Sequence, residues 1–238
     1  VKIGIIVPMA EEIILYRKKL SALTTETIGG AEFTVGTYEN TELVLAQSGI
    51  GKVQASMTAT ILFDHFQVAA LINTGSAAGV ATGLTIGELV LGQQLAYHDV
   101  DVTNGGDYVV GQIPGQQLFF KSNQALLNVV EQTATALNLP ATTGLIVTGD
   151  QFVANAEHVA AIKDNFTGVA AIEMEGAAVA QIATNFNKPF LIIRAISDNG
   201  DADATVNFDE FVKQAGKNAA ELLLKAIPNI AALEGNEV

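Results

Sequence analysis

The sequence predicts an α/β fold: a single domain with a mixed, mostly parallel central sheet covered by helices on both faces. Three observations lead there. Short apolar runs of strand length alternate with longer stretches of helical period. One run, Phe190-Leu191-Ile192-Ile193, is apolar without interruption, as strands covered on both faces are. No repeat, low-complexity tract or Pro/Ser linker divides the 238 residues, so residues 1–238 are expected to form one domain around one core.

Taken in order, the strands are expected at Ile3 to Val7, Leu43 to Ser48, Ala69 to Thr74, Leu89 to Tyr97, Leu145 to Thr148 and Phe190 to Ile196, with Val169 to Ile172 a further short apolar run. Between them the apolar period predicts helices at Glu11 to Leu20, Lys52 to Phe66, Asn123 to Leu137, Glu157 to Asn165, Glu175 to Phe186 and Phe208 to Ala226. Thr24 to Thr41 differs. It alternates from Glu32 to Tyr38 and holds Gly29-Gly30, which predicts an antiparallel hairpin on one edge of the sheet. The longest irregular stretch, His98 to Lys121, contains Gly105-Gly106, Gly111, Pro114 and Gly115. A loop of that length in a compact domain is expected to be functional or to pack on a partner chain.

Composition narrows the function. Twelve basic and 25 acidic side chains leave a net charge of −13. Nucleic-acid phosphates and anionic membrane surfaces are repelled by such a surface, so neither is expected as a partner. No apolar run approaches the roughly 18 to 20 residues that cross a bilayer. Ile3 to Val7 is too short, and too soon followed by Glu11 and Glu12, to read as a secretory signal. The chain begins at Val1, which leaves a native start upstream open. The absence of cysteine excludes disulfides, thiolate metal sites and a cysteine nucleophile, and suits a reducing cytoplasm. His65, His98 and His158 lack the paired spacing of a metal site, so no metal is expected. His98 is the least ordinary of them, with Asp99 and Asp101 beside it at a strand end.

Two glycine-rich segments fail as known motifs. Gly49-Ile50-Gly51-Lys52 follows a strand and opens a helix. Val53 stands where a nucleotide loop needs Ser or Thr, Ala46 stands where it needs its first glycine, and Gln54 breaks the dinucleotide fingerprint. A tight turn and helix start is the expected reading. Gly75-Ser76-Ala77-Ala78-Gly79 is not a nucleophile elbow, and a close approach of backbone to ligand is the functional reading that remains.

Acidic residues at strand ends are more informative, because a parallel sheet delivers ligand contacts there. Asp198 follows a strand too apolar for a routine surface aspartate, and burial would favour its neutral, proton-donating form. Turn capping is its ordinary alternative. Glu173-Met174-Glu175 precedes an alanine-rich helix, and Glu12 lies on the first turn of another, so both places also suit a helix dipole. Arg194, inside an apolar strand, needs a carboxylate or a ligand to compensate its desolvation.

In order along nearly the whole chain, these residues resemble the 5′-methylthioadenosine/S-adenosylhomocysteine nucleosidases of the purine nucleoside phosphorylase superfamily. The matching segments are Lys2 to Ile6 with Met9 and Glu12; Ser48 to Val53; Asn73 to Ala77; Tyr97-His98-Asp99 with Asp101-Val102-Thr103; Thr148-Gly149-Asp150 with Phe152; Glu173-Met174-Glu175; and Arg194 to Asp198. The resemblance implies a three-layer nucleoside phosphorylase-like sandwich. It also implies hydrolysis of the bond between adenine and a 5′-alkylthioribose without metal or organic cofactor.

The resemblance also assigns residues. Asp198 would protonate N7 of adenine, oriented by Ser197, and Glu12 would activate water on the opposite face, near Arg194. Glu175 would accept from the ribose hydroxyls, with Glu173 and Met174 beside the sugar. Phe152 would stack on adenine, the backbone at Val153 would read its edge, and Ser76 and Ala77 would line the cleft nearby. Met9, Ile50 and Phe208 would hold the alkylthio group. Family members are homodimers, so Val102, Tyr108 and Pro114 are expected to act in the neighbouring subunit's pocket. The loop Asn104 to Val110 departs from the family pattern, with Gly105-Gly106 where an aromatic residue is expected, which leaves the 5′ preference open. Gly200-Asp201-Ala202-Asp203, just after the acid, reads as a flap.

Rival readings are a phosphorylase, a hydrolase of another purine nucleoside such as futalosine, and a nucleoside sensor without turnover. Glu11 and Glu12 would repel phosphate, which favours water as the nucleophile. Binding alone would not need an acid and a base together.

Overall fold

The computed structural model describes residues 1–234. β1 (Lys2–Val7) pairs in parallel with β4 (Thr41–Gln47) on one side and β5 (Ala70–Gly79) on the other. Beyond β4 comes the expected hairpin, β2 (Ser21–Ile28) and β3 (Ala31–Tyr38), antiparallel and at the edge of the sheet. Gly29 and Gly30 make its turn at positive φ.

β5 continues past Thr74, where its apolar run stops, because it has two further partners. It pairs in parallel with β10 (Phe190–Asp198) and, at Ala78 and Gly79, antiparallel with β9 (Val169–Glu173). β10 runs antiparallel to β6 (Leu89–Tyr97), β6 parallel to β8 (Ala141–Thr148), and β8 parallel to β9. Five strands therefore close into a ring, and β1, β4, β3 and β2 extend from it as an open sheet. Closure demands close approach. A Cβ on Gly79 would stand 2.8 Å from Ile196, and one on Gly144 would stand 2.8 Å from Ala170.

Side chains of β1 alternate between two cores, Ile3, Ile5 and Val7 toward one and Ile6 toward the other. The first core is covered by α1 (Ala10–Lys19), α3 (Gln124–Ala136) and α6 (Ala204–Glu234). The second is covered by α2 (Lys52–Asp64) and α5 (Gly176–Asn185), with α4 (Ala156–Asn165) over a smaller cluster against β8 and β9. This is the expected layering of helices on both faces.

Two departures have physical causes. α6 starts before Phe208 and passes through Pro228, because Leu222, Leu223, Ile227 and Ile230 are all fully buried along it. Their burial outweighs the donor that proline lacks. Within the stretch expected to be irregular, Thr103–Gly105 forms a 3₁₀ turn and β7 (Phe120–Lys121) pairs with β6, carrying Phe120 into the core. A two-residue strand leaves no period to read.

Candidate active site

The carboxyl ends of β5, β9 and β10 meet, since Ala78 pairs with both Ile172 and Asp198. A cavity of about 340 Å³ opens there. Met9, Ile50, Ser76, Ala77, Phe152 and Val153 line it, as do Glu173, Met174, Glu175, Ser197, Asp198 and Phe208. All were named from sequence. Pro8, Ala78, Gln151 and Ile172 complete the wall; each adjoins a named residue, and that adjacency was their only signal. Glu12 and Arg194 are not among the lining residues, and neither are Val102, Tyr108 and Pro114 from the long loop.

Asp198 closes β10 at the cavity wall. Its register with β5 shifts between Ile196 and Asp198, and such a bulge re-aims side chains, so consecutive Ser197 and Asp198 both reach the cavity. Asp198 is 2% exposed. Its Oδ2 accepts from Ser197 Oγ at 2.8 Å and its Oδ1 from the Gly200 amide at 2.9 Å. Burial raises its pKa despite both bonds. Gly200 has φ +68°, so the first residue of the expected flap is a turn that ties back to the acid. Phe152 and Phe208 meet edge to face, with ring centroids 5.7 Å apart.

Glu12 lies behind the wall, 2% exposed on the first turn of α1. Its Oε1 accepts from the amide and the hydroxyl of Ser76, each at 2.8 Å, and its Oε2 from the Met9 amide at 3.2 Å. Ser76 and Met9 both line the cavity, so Glu12 adjoins the space that Asp198 faces. Burial raises the pKa of Glu12, while Ser76 and Arg194 oppose the shift. α6 packs closely here: a Cβ on Gly216 would stand 2.7 Å from the Cα of Glu12.

Arg194 finds the partners its burial requires. Fully buried in β10, it donates through Nη2 to Glu173, to Asn73 Oδ1 at 2.5 Å and to Glu175 Oε2 at 3.4 Å. Glu173 also accepts from Thr148 Oγ1 and from the amides of Glu175 and Gly176, so its carboxylate is fully engaged by the protein. It anchors the start of α5. Glu175 keeps a freer carboxylate, taking the Gly51 amide at 2.9 Å; burial, with Glu173 and Glu12 nearby, raises its pKa against the pull of Arg194. Nε and Nη1 of Arg194 have no partner, and Nη1 occupies the place a Cβ on residue 75 would take. Asn73 and Thr148 escaped sequence reasoning as functional residues, although a polar residue in an apolar strand was the signal that exposed Arg194.

Among the described residues no group of three His, Asp or Glu side chains is arranged to hold a metal ion, and no helix is long and apolar enough to cross a membrane.

Residues 2–228 match the phosphorylase superfamily. A 5′-methylthioadenosine/S-adenosylhomocysteine nucleosidase of Bacillus licheniformis is 43% identical, over 96% of this chain and 99% of that protein. The chain belongs to this nucleosidase family. The S-adenosylhomocysteine nucleosidase of Streptococcus pyogenes, solved in complex with 5-methylthiotubericidin, superimposes with a TM-score of 0.93 at 42% identity, covering 96% of each chain. Futalosine hydrolase of Helicobacter pylori shares the fold at a lower identity of 33%, with a TM-score of 0.91 over 96% of this chain and 97% of that one. Family membership thus extends the motif resemblance over nearly the whole chain.

Proposed function

We propose that the protein hydrolyses the N-glycosidic bond of 5′-methylthioadenosine and S-adenosylhomocysteine, releasing adenine and the 5′-alkylthioribose. The observation that carries this reading is one cavity lined both by buried Asp198, whose pKa burial raises, and by Ser76, which is bonded to buried Glu12.

Adenine leaves poorly as an anion. Asp198, whose protonated form burial favours, donates its proton to N7 as the bond breaks, and Ser197 orients it. Phe152 stacks on the base and the Val153 backbone reads its edge. The ribose becomes oxocarbenium-like, and ionised Glu12 takes the proton of the attacking water on the opposite face. Arg194, whose Nη1 is unpartnered, helps hold Glu12 ionised by its charge. Glu175 accepts from the ribose hydroxyls and Met174 packs against the sugar, while Glu173 supports binding by fixing the segment that carries both. Met9, Ile50 and Phe208 enclose the alkylthio group.

Val102, Tyr108 and Pro114, which lie outside their own chain's cavity, complete the neighbouring site of a homodimer in this reading. We read the enzyme as cytoplasmic, acting in methionine salvage and the recycling of S-adenosylmethionine by-products. Hydrolysis is favoured over phosphorolysis because Glu11 and Glu12 follow β1, where a phosphate dianion would need cations. The test is adenine release from methylthioadenosine in phosphate-free buffer. Full turnover is expected; a strict phosphate requirement contradicts the reading, and turnover of futalosine alone would redirect it.

A further inference from the structure

Two segments that carry the family resemblance, Tyr97-His98-Asp99 and Thr148-Gly149-Asp150, place no side chain in the cavity. The imidazole of His98 instead packs under Gly149 and edge-on to His158. Asp99 and Asp150, however, meet at the start of α2. Asp99 Oδ2 accepts from Lys52 Nζ at 2.6 Å and from the Asp150 amide at 2.9 Å. Asp150 Oδ1 in turn accepts from the Lys52 amide at 2.8 Å. One residue earlier, the Gly51 amide donates to Glu175 Oε1 at 2.9 Å.

α2 has no acidic residue in its first turn and no side-chain cap of its own. Its free amides are satisfied by carboxylates from elsewhere in the chain, Glu175 for Gly51 and Asp150 for Lys52. Gly51 has φ +96°, and a Cβ there would stand 3.0 Å from Asp150 Oδ1. A glycine cannot steer its own turn, so the turn's position depends on what grips its neighbour. Lys52 and Asp99 are largely shielded, with side chains 22% and 13% exposed, so their ion pair is less screened than one in open solvent. Although burial pushes against ionisation of Asp99, the Lys52 ammonium and the Asp150 amide hold its pKa below the usual value.

We infer that Asp99 is a positioning residue for the sugar end of the site: by holding Lys52 and the Asp150 amide it fixes the first turn of α2, and through the Gly51 amide it fixes the carboxylate of Glu175. This rests on the reading of Glu175 as the ribose acceptor.

The experiment compares methylthioadenosine with its 3′-deoxy analogue, which lacks a hydroxyl that Glu175 would hold, in the wild type, Asp99→Asn, Glu175→Gln and the double variant. Asp99→Asn is expected to lower kcat/KM on methylthioadenosine about 10-fold, with a smaller loss on the deoxy analogue and no further loss once Glu175 is already Gln. Equal losses on the two substrates, losses that multiply in the double variant, or unchanged activity would overturn the inference. Lys52→Met tests the same link from its other partner and decides the matter should Asp99→Asn fail to fold. Wild-type behaviour of Lys52→Met would likewise overturn it. A wild type inactive on methylthioadenosine would sink the functional reading itself; an active wild type with multiplying losses sinks only the positioning role.

Discussion

The two ends of the proposed site, the purine end at Asp198 and the sugar end at Glu12 and Glu175, are built by opposite means. At the purine end Asp198 is held by its own chain neighbours, Ser197 before it and Gly200 two residues after. At the sugar end local bonds from Met9 and Gly176 are joined by long-range ones: Ser76 reaches Glu12 across 64 residues, Asn73 reaches Arg194 across 121 and Gly51 reaches Glu175 across 124. As the proposed acid, Asp198 needs only a dry environment that raises its pKa. Glu12, Glu173 and Glu175 must instead share one buried guanidinium, and that balance depends on strands meeting at the closed ring. The purine end should therefore tolerate substitution structurally while losing chemistry, and the sugar end should lose both.

Five substitutions can break or sharpen that contrast. Asp198→Asn should lower adenine release by about 10² to 10⁴-fold, the usual contribution of a general acid, while nucleoside binding persists. Its stability at neutral pH should be unchanged or higher. Burial raises the folded-state pKa of Asp198, so between its unfolded and folded values the native state binds more protons and stability falls as pH rises. Asparagine removes that slope, and urea titrations at several pH values would reveal a loss of stability if the contrast is wrong.

Glu173→Gln should cost about 3 kcal/mol of stability, because it leaves the buried guanidinium of Arg194 under-compensated, and the same urea titrations measure it. Gly75→Ala places a methyl where Arg194 Nη1 lies and 3.3 Å from Pro8 Cγ, so turnover should drop by about 10²-fold as Arg194 is displaced. Turnover close to wild type would remove Arg194 from its place beside Glu12. The smallest effects belong to the two serines, read from the pH dependence of kcat/KM. Ser76→Ala removes a hydrogen bond that lowers the pKa of Glu12, so the acid limb should move to higher pH. Ser197→Ala removes one that lowers the pKa of Asp198, so the alkaline limb should also move to higher pH.

The same contrast explains what could be read from sequence. Strand cores and helices were legible because their periods are local, and Asp198 was legible because an aspartate ending an apolar strand is itself a local anomaly. The second half of β5 was not. Gly75-Ser76-Ala77-Ala78-Gly79 looks like a turn because its small residues are those that let β10 and β9 approach. Ring closure leaves no local mark, so the bond between Ser76 and Glu12 could not be foreseen although both residues were named. The helix expected to end at Ala226 runs on through Pro228, because the buried stripe continues through Ile227 and Ile230. The roles of Asn73 and Thr148 emerge only when β5, β8, β9 and β10 are adjacent.

A division of labour between the two ends is tested most directly by a leaving group that needs no proton. A 5-methylthioribosyl substrate carrying p-nitrophenolate in place of adenine departs as a stable anion. Release of p-nitrophenolate, followed by absorbance, should proceed in Asp198→Asn at close to the wild-type rate and remain severely impaired in Glu12→Gln. An Asp198→Asn enzyme as defective on this substrate as on methylthioadenosine would contradict the assignment of the acid.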